Sequence, residues 1–178
     1  AQTIGTRCHP DGRTERGPVL FTGYGHFSQV RKDIEKLPGY GCNIIQVEFG
    51  PHSVLPQEDE TSDRAINEFL ALCDRAAQAN VSVNLLLSPH YFPQWALKKW
   101  PELADCRGGF FNFCVHDPRA RSVLEKSLRQ VISRVMNHPA LHSVCLSNEP
   151  ICVDLSACSA GWFITRGITC LSDFSRTE

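Results

Sequence analysis

The run Leu146-Ser147-Asn148-Glu149-Pro150 sets an amide beside a carboxylic acid just past an apolar stretch. The residues before it, Leu141 to Cys145, alternate apolar and small side chains as an inner barrel strand does. A strand that stops in Asn-Glu-Pro turns its last side chains towards the mouth of its sheet. In a (β/α) barrel that mouth carries the chemistry, and a carboxyl group is one of the side chains suited to general acid/base work there. Glu48 ends an earlier strand in the same way, and is the only upstream carboxylate at a strand's mouth end. His26, His90, Tyr91 and Trp95 fall on loops that follow strands and would line the same opening. Plainer readings compete: a solvated glutamate, a turn asparagine bonded to its own backbone, a packing tryptophan. For Trp100 packing is the preferred reading, and His116, His138 and His142 lie near helix or strand starts as structural residues.

These residues need a scaffold, and the periodicity supplies one. After a polar arm over residues 1–17, Pro18 to Tyr24 reads as a strand that ends in a glycine-rich turn. Phe27 to Leu37 carries Val30, Ile34 and Leu37 at helical spacing and is stopped by Pro38-Gly39. Asn43 to Phe49 is a second strand, followed by a long loop from Gly50 to Glu60. Thr61, Ser62 or Asp63 caps a helix running to about Ala79, with Ile66, Phe69, Leu70, Cys73 and Ala76 on one face. Val81 to Leu87 is a near-continuous apolar run, the signature of a parallel strand buried on both faces. A second long loop, Ser88 to Asp117, holds a short helix around Gln94 to Trp100. Asp117-Pro118 then gives a helix start, with the acid as cap and proline in the first helical position. Leu124, Leu128, Val131, Ile132 and Val135 form its apolar face as far as Asn137, and Leu141 to Ser147 is the fourth strand.

The order is βαβαβαβ, with the excess length in loops that follow strands. Such loops are the functional ones in a barrel. An eight-stranded barrel takes about 250 residues, and the chain has 178. The expected fold class is therefore α/β, a partial (β/α)8 TIM barrel of about four βα units with parallel strands. An open doubly wound sheet is the alternative, but no glycine-rich dinucleotide fingerprint follows any strand. Residues 18–157 would form the half-barrel. Residues 158–178 fit no further unit and read as an atypical tail whose dense apolar stretch is Trp162-Phe163-Ile164.

Composition narrows the function classes. Hydrophobic residues make up 42% and charged residues 21%, a globular profile. The formal net charge is -1 with both signs scattered, so neither nucleic acid nor an anionic membrane is an expected partner. No apolar run reaches the roughly 20 residues of a membrane span, and the amino terminus has no signal-peptide core. The nine cysteines show no CxxC spacing and no Cys/His cluster of zinc-finger type. Cys42, Cys73 and Cys145 fall in expected core positions, where cysteine acts as a small apolar residue. Reduced thiols, a cytoplasmic location and no metal or cofactor are the expectation. A pairing of Cys106 with Cys114 across the Gly-Gly turn stays open.

Three stretches carry a resemblance to a known family. They are Gly23-Tyr24-Gly25-His26-Phe27, Ser88-Pro89-His90-Tyr91-Phe92-Pro93-Gln94-Trp95-Ala96 and Ser147-Asn148-Glu149-Pro150. Together they resemble the N-terminal half of a clan-A glycoside hydrolase barrel, closest to family 42, the β-galactosidase-like enzymes. The Asn-Glu-Pro ending identifies the clan, and the segment His90 to Leu103 tilts the likeness towards family 42. The resemblance implies that Glu149 is the general acid/base, protonating the departing glycosidic oxygen and later deprotonating water. It implies that Asn148 bonds the sugar 2-hydroxyl. Glu48 would accept from a sugar hydroxyl or orient a neighbour, with a structural hydrogen bond or ion pair as the equal alternative. His26, His90, Tyr91 and Trp95 would stack on or bond to the sugar.

A retaining enzyme also needs a nucleophilic carboxylate about 5–5.5 Å from the first. The clan places it on strand seven, so it is expected to be absent from this chain. The expected parent activity is retaining hydrolysis of β-glycosides, with the 178 residues alone inactive. Two alternatives are a non-catalytic half-barrel that binds carbohydrate or self-associates through its open edges, and a clan-A hydrolase of another β-glycan.

Overall fold

A computed structural model describes residues 4–8, 13–18, 20–25, 28–106 and 111–148. Its centre is a four-stranded parallel sheet of β3 (Gly23–Tyr24), β4 (Ile44–Phe49), β5 (Ser82–Leu87) and β6 (Leu141–Cys145), neighbours in chain order. The helices α1 (Ser28–Lys32), α3 (Arg64–Gln78) and α5 (Pro118–Val135) fill the crossovers. This is the partial (β/α) barrel that the apolar pattern predicts. Ahead of it, β1 (Ile4–Cys8) and β2 (Thr14–Pro18) form an antiparallel hairpin where a plain polar arm was expected.

Strand alternation divides the sheet into two faces. Ile45, Val47 and Phe49 of β4 and Val83, Leu85 and Leu87 of β5 are buried against the helices. The helices answer with Ile66, Phe69, Leu72, Cys73 and Ala76 of α3, and with Ala120, Val123, Val131 and Val135 of α5. The other face is the barrel interior, where Leu86 is wholly buried while Gln46, Asn84 and Ser143 are half-buried. These three polar side chains meet in register across β4, β5 and β6. Gln46 Nε2 donates to Asn84 Oδ1 at 2.8 Å, and Asn84 Nδ2 donates to Ser143 Oγ at 2.7 Å. Each bond satisfies a polar group that would otherwise be costly to cover.

Several elements depart from the sequence expectation. The first barrel strand shrinks from Pro18–Tyr24 to two residues, and Pro18 closes the hairpin instead. The Asn43 side chain bridges Leu20 and Thr22: Asn43 Nδ2 donates to Leu20 O, and Thr22 N donates to Asn43 Oδ1, both at 2.9 Å. Gly23 passes so near β4 that a Cβ there would lie 2.6 Å from Ile44 Cγ2. The expected single helix Phe27–Leu37 ends at Lys32 and becomes a 3-10 helix, Ile34–Tyr40, that accommodates Pro38. Gly41 ends it at φ 77°, the left-handed conformation that glycine supplies without strain. The Gly50–Glu60 loop contains α2 (Pro51–Val54), opened by proline at its first turn.

Asp63 stands at the N-cap of helix α3 without a side-chain capping bond; its carboxylate pairs with Arg134, and Ser62 Oγ accepts from Arg64 N at 3.4 Å. The buried stripe of α5 is rotated from the expected one: Leu128 is exposed, and Leu124 and Ile132 are only partly buried. Leu124, Leu128 and Val131 line an apolar groove with Phe49, Leu87 and Leu146, on the flank that no described element covers. Helix α4 (Gln94–Lys99) and a 3-10 helix, Pro101–Cys106, build the loop after β5 around Leu55, Phe92, Ala96, Leu103 and Phe113, all buried. No helix among the described residues is long and apolar enough to cross a membrane.

Candidate active site

Parallel register brings the candidate positions to one rim. Glu48 of β4 is level with Leu86 of β5 and Cys145 of β6. Ser88 follows β5 directly, and Asn148 stands three residues beyond the end of β6. Because side chains alternate along a strand, Glu48 shares the interior face with Gln46, away from the helices.

The Glu48 carboxylate is held from two sides. Ser88 Oγ donates to its Oε2 at 2.6 Å, and the Tyr91 hydroxyl stands 3.5 Å from its Oε1. Burial, then the nearby Glu48 charge, pushes the Tyr91 phenol above its usual pKa, so it remains a neutral donor. The His90 and His52 rings lie 4.1 and 5.5 Å from the Tyr91 ring, centroid to centroid. Arg31 of α1 reaches over the strand end, its Nη2 donating to the Glu48 carbonyl at 2.7 Å.

The backbone fixes this cluster as firmly as the side chains do. Ser88 N donates to Phe49 O at 3.2 Å, Tyr91 N to Ser88 O at 3.1 Å, and His52 N to Tyr91 O at 3.0 Å. The chain after β5 thereby folds back over the end of β4 and presents Tyr91, which is 41% exposed, at the rim. Gly50 leaves no room for a side chain against this turn.

The remaining sequence-predicted residues divide. Asn148 is half-buried and is the last described residue, next to Ser147, whose carbonyl accepts from Cys145 Sγ at 3.2 Å. Trp95 is not part of the Glu48 cluster: its Nε1 donates to Leu55 O at 3.0 Å and its ring lies 6.1 Å from Trp100. It lines a separate depression with Glu58, Trp100 and Arg119. Glu149 and His26 lie outside the described residues, as do the side chain of Cys106 and residues 107–110 between it and Cys114. Sequence reasoning passed over Ser88, His52 and Arg31. For Ser88 a signal existed, a hydroxyl that directly follows the run Leu85-Leu86-Leu87. Among the described residues no group of three or more His, Cys, Asp or Glu gathers as a metal site would.

A parallel sheet ordered β3-β4-β5-β6, helices on its outer face and polar groups at its C-terminal rim make this a partial (β/α)8 barrel. The family model for β-galactosidases of glycoside hydrolase family 42 matches residues 25–162, and the chain belongs to that family. Among solved structures, a β-galactosidase from Rahnella sp. R3 superposes with a TM-score of 0.63 at 20% identity, over 92% of this chain and 24% of that one. A β-galactosidase from the psychrophilic Marinomonas ef1 gives 0.61 at 19% identity, over 81% and 24%. A GH5_18 protein from Bifidobacterium longum subsp. infantis gives 0.52 at 16% identity, over 76% and 34%. The chain thus spans between a quarter and a third of the length of these proteins. No curated protein sequence matches it.

Proposed function

We propose that this chain supplies the acid/base half of a retaining β-glycoside hydrolase, with β-galactosides as the substrate class. Membership of family 42, whose model match runs through the Asn148-Glu149 pair, carries the reading. Glu149 protonates the glycosidic oxygen as the sugar leaves, then takes a proton from the water that releases the glycosyl group. Asn148 bonds the sugar 2-hydroxyl, a contact that strengthens as positive charge develops on the ring. Glu48 accepts from a second sugar hydroxyl, with His90 and Tyr91 beside it and His26 as a further candidate contact.

Double displacement needs a nucleophile about 5–5.5 Å from the acid/base, and none of the carboxylates in these 178 residues is matched to it. The chain by itself is therefore expected to bind saccharide without turning it over.

A panel of aryl β-glycosides tests this with the 178-residue chain and with a chain extended through strand eight. The first should release no aryl alcohol. The second should do so, and Glu149→Gln should lower its kcat by about 10²–10⁴-fold, the usual share of general acid/base catalysis. Turnover by the short chain would refute its proposed inactivity. An extended chain inert on every β-glycoside would refute the hydrolase reading.

A further inference from the structure

We propose that Ser88 is a positioning residue, whose hydroxyl, with that of Tyr91, fixes the Glu48 carboxylate as a rigid acceptor for a sugar hydroxyl at the barrel mouth. The inference rests on the function proposed above and adds to it how one substrate contact is preorganised.

Ser88 is fully buried, one of only two polar side chains so classed among the described residues. A hydroxyl in such a place costs stability unless it is bonded, and Glu48 Oε2 lies 2.6 Å away. A hydrogen bond to a charged acceptor at this distance is of the strong kind. The backbone of Ser88 is secured separately, through Phe49 O and Tyr91 N. These backbone bonds do not involve the hydroxyl. What the hydroxyl adds is a restraint on Glu48.

A glutamate side chain has three rotatable bonds, and ordering it on binding costs affinity. Ser88 bonds Oε2 at 2.6 Å before any ligand arrives, and the Tyr91 hydroxyl stands 3.5 Å from Oε1 as a weaker neighbour. A carboxylate accepts about four hydrogen bonds, of which Ser88 and Tyr91 take at most two.

The test combines Ser88→Ala, Glu48→Ala and the double variant. Three-bond couplings measured by NMR report the Glu48 rotamer without any ligand. Lactose titrations report binding, and thermal melts report the fold. We expect fixed Glu48 couplings in the wild type and averaged ones in Ser88→Ala. Lactose binding should weaken by about fivefold to tenfold in Ser88→Ala, the loss of one charge-assisted bond's worth of order. The same substitution should have no further effect in the Glu48→Ala background. An equal loss in both backgrounds would make Ser88 merely structural and overturn the proposal. Unchanged couplings in Ser88→Ala would overturn it whatever the binding shows. Freed couplings with no lactose binding by any form would overturn the sugar-acceptor role, while turnover of aryl β-glycosides by the extended chain would still decide the hydrolase reading.

Discussion

Gly50 lies beneath Tyr91 so closely that a Cβ on Gly50 would overlap the Cβ of Tyr91 and stand 2.6 Å from the Ser88 carbonyl oxygen. The backbone of Gly50 is extended, at φ -117° and ψ 175°, a conformation open to any residue. Space, and not backbone freedom, demands the glycine.

Gly50→Ala should therefore push the β5 loop off the end of β4. The neighbours are a backbone carbonyl and a Cβ, neither of which can swing aside. We expect a loss of about 1–3 kcal/mol, the usual cost of overpacking, in denaturant melts. The Tyr91–Glu48 approach should lengthen as well, seen as a fall of the Tyr91 phenol towards its ordinary pKa. A variant as stable as the wild type, with an unmoved phenol, would mean that the loops do not meet as described.

Asp117 joins a cap to an ion pair. Its Oδ1 accepts from Arg119 N at 2.8 Å at the start of α5, and the Arg119 guanidinium also bonds it and Glu102. Hydrogen bonds from the Arg119 side chain, before other causes, hold the Asp117 carboxyl below its usual pKa. A depressed carboxylate contributes stability that is whole above its unfolded pKa and disappears as pH falls through the folded one. Asp117→Ala should cost about 1–2 kcal/mol at neutral pH. That difference should shrink below about pH 4 as the wild type protonates. A constant gap from neutrality into acid would show that the charge contributes nothing.

Cys73 is wholly buried on α3, and burial pushes its thiol up to about 12. Alkylation proceeds through the thiolate. At about pH 8, where an unperturbed thiol is partly ionised, iodoacetamide should leave Cys73 unmodified in the native chain and label it promptly in denaturant. Peptide mass spectrometry would read the difference. Equal labelling in both states would place Cys73 outside a packed core.

The strands and helices whose patterns are strong were the legible ones. Ile44–Phe49, Ser82–Leu87 and the Asp117-Pro118 helix start need only alternation, an apolar run and a cap. The N-terminal hairpin escaped because its strands carry charge and glycine rather than an alternating pattern. The α5 face was misjudged because periodicity counts apolar residues without knowing what covers them: Ser127 is buried and Leu128 is not. Helix α2 hid inside a loop although Gly50-Pro51 announces it. At the site, Glu48 and Tyr91 were expected at the mouth by type and position. Their contact depends on a turn over Ser88 that no spacing rule contains, and Trp95 went to the loop's own core for the same reason.

The interior row of Gln46, Asn84 and Ser143 has a direction. Each amide nitrogen donates away from β4, so the two bonds point the same way across the sheet and polarise one another. Ser143, accepting from Asn84, has its own hydrogen to pass on, and His142 Nδ1 lies 3.1 Å from its oxygen. A neutral His142 that takes this hydrogen carries its own on Nε2. Replacing Asn84 by aspartate would leave the first bond in place and reverse the second, since Ser143 would have to donate back towards β5. An amide at position 84 thus leaves the Ser143 hydrogen available to His142, where an aspartate would draw it back towards β5.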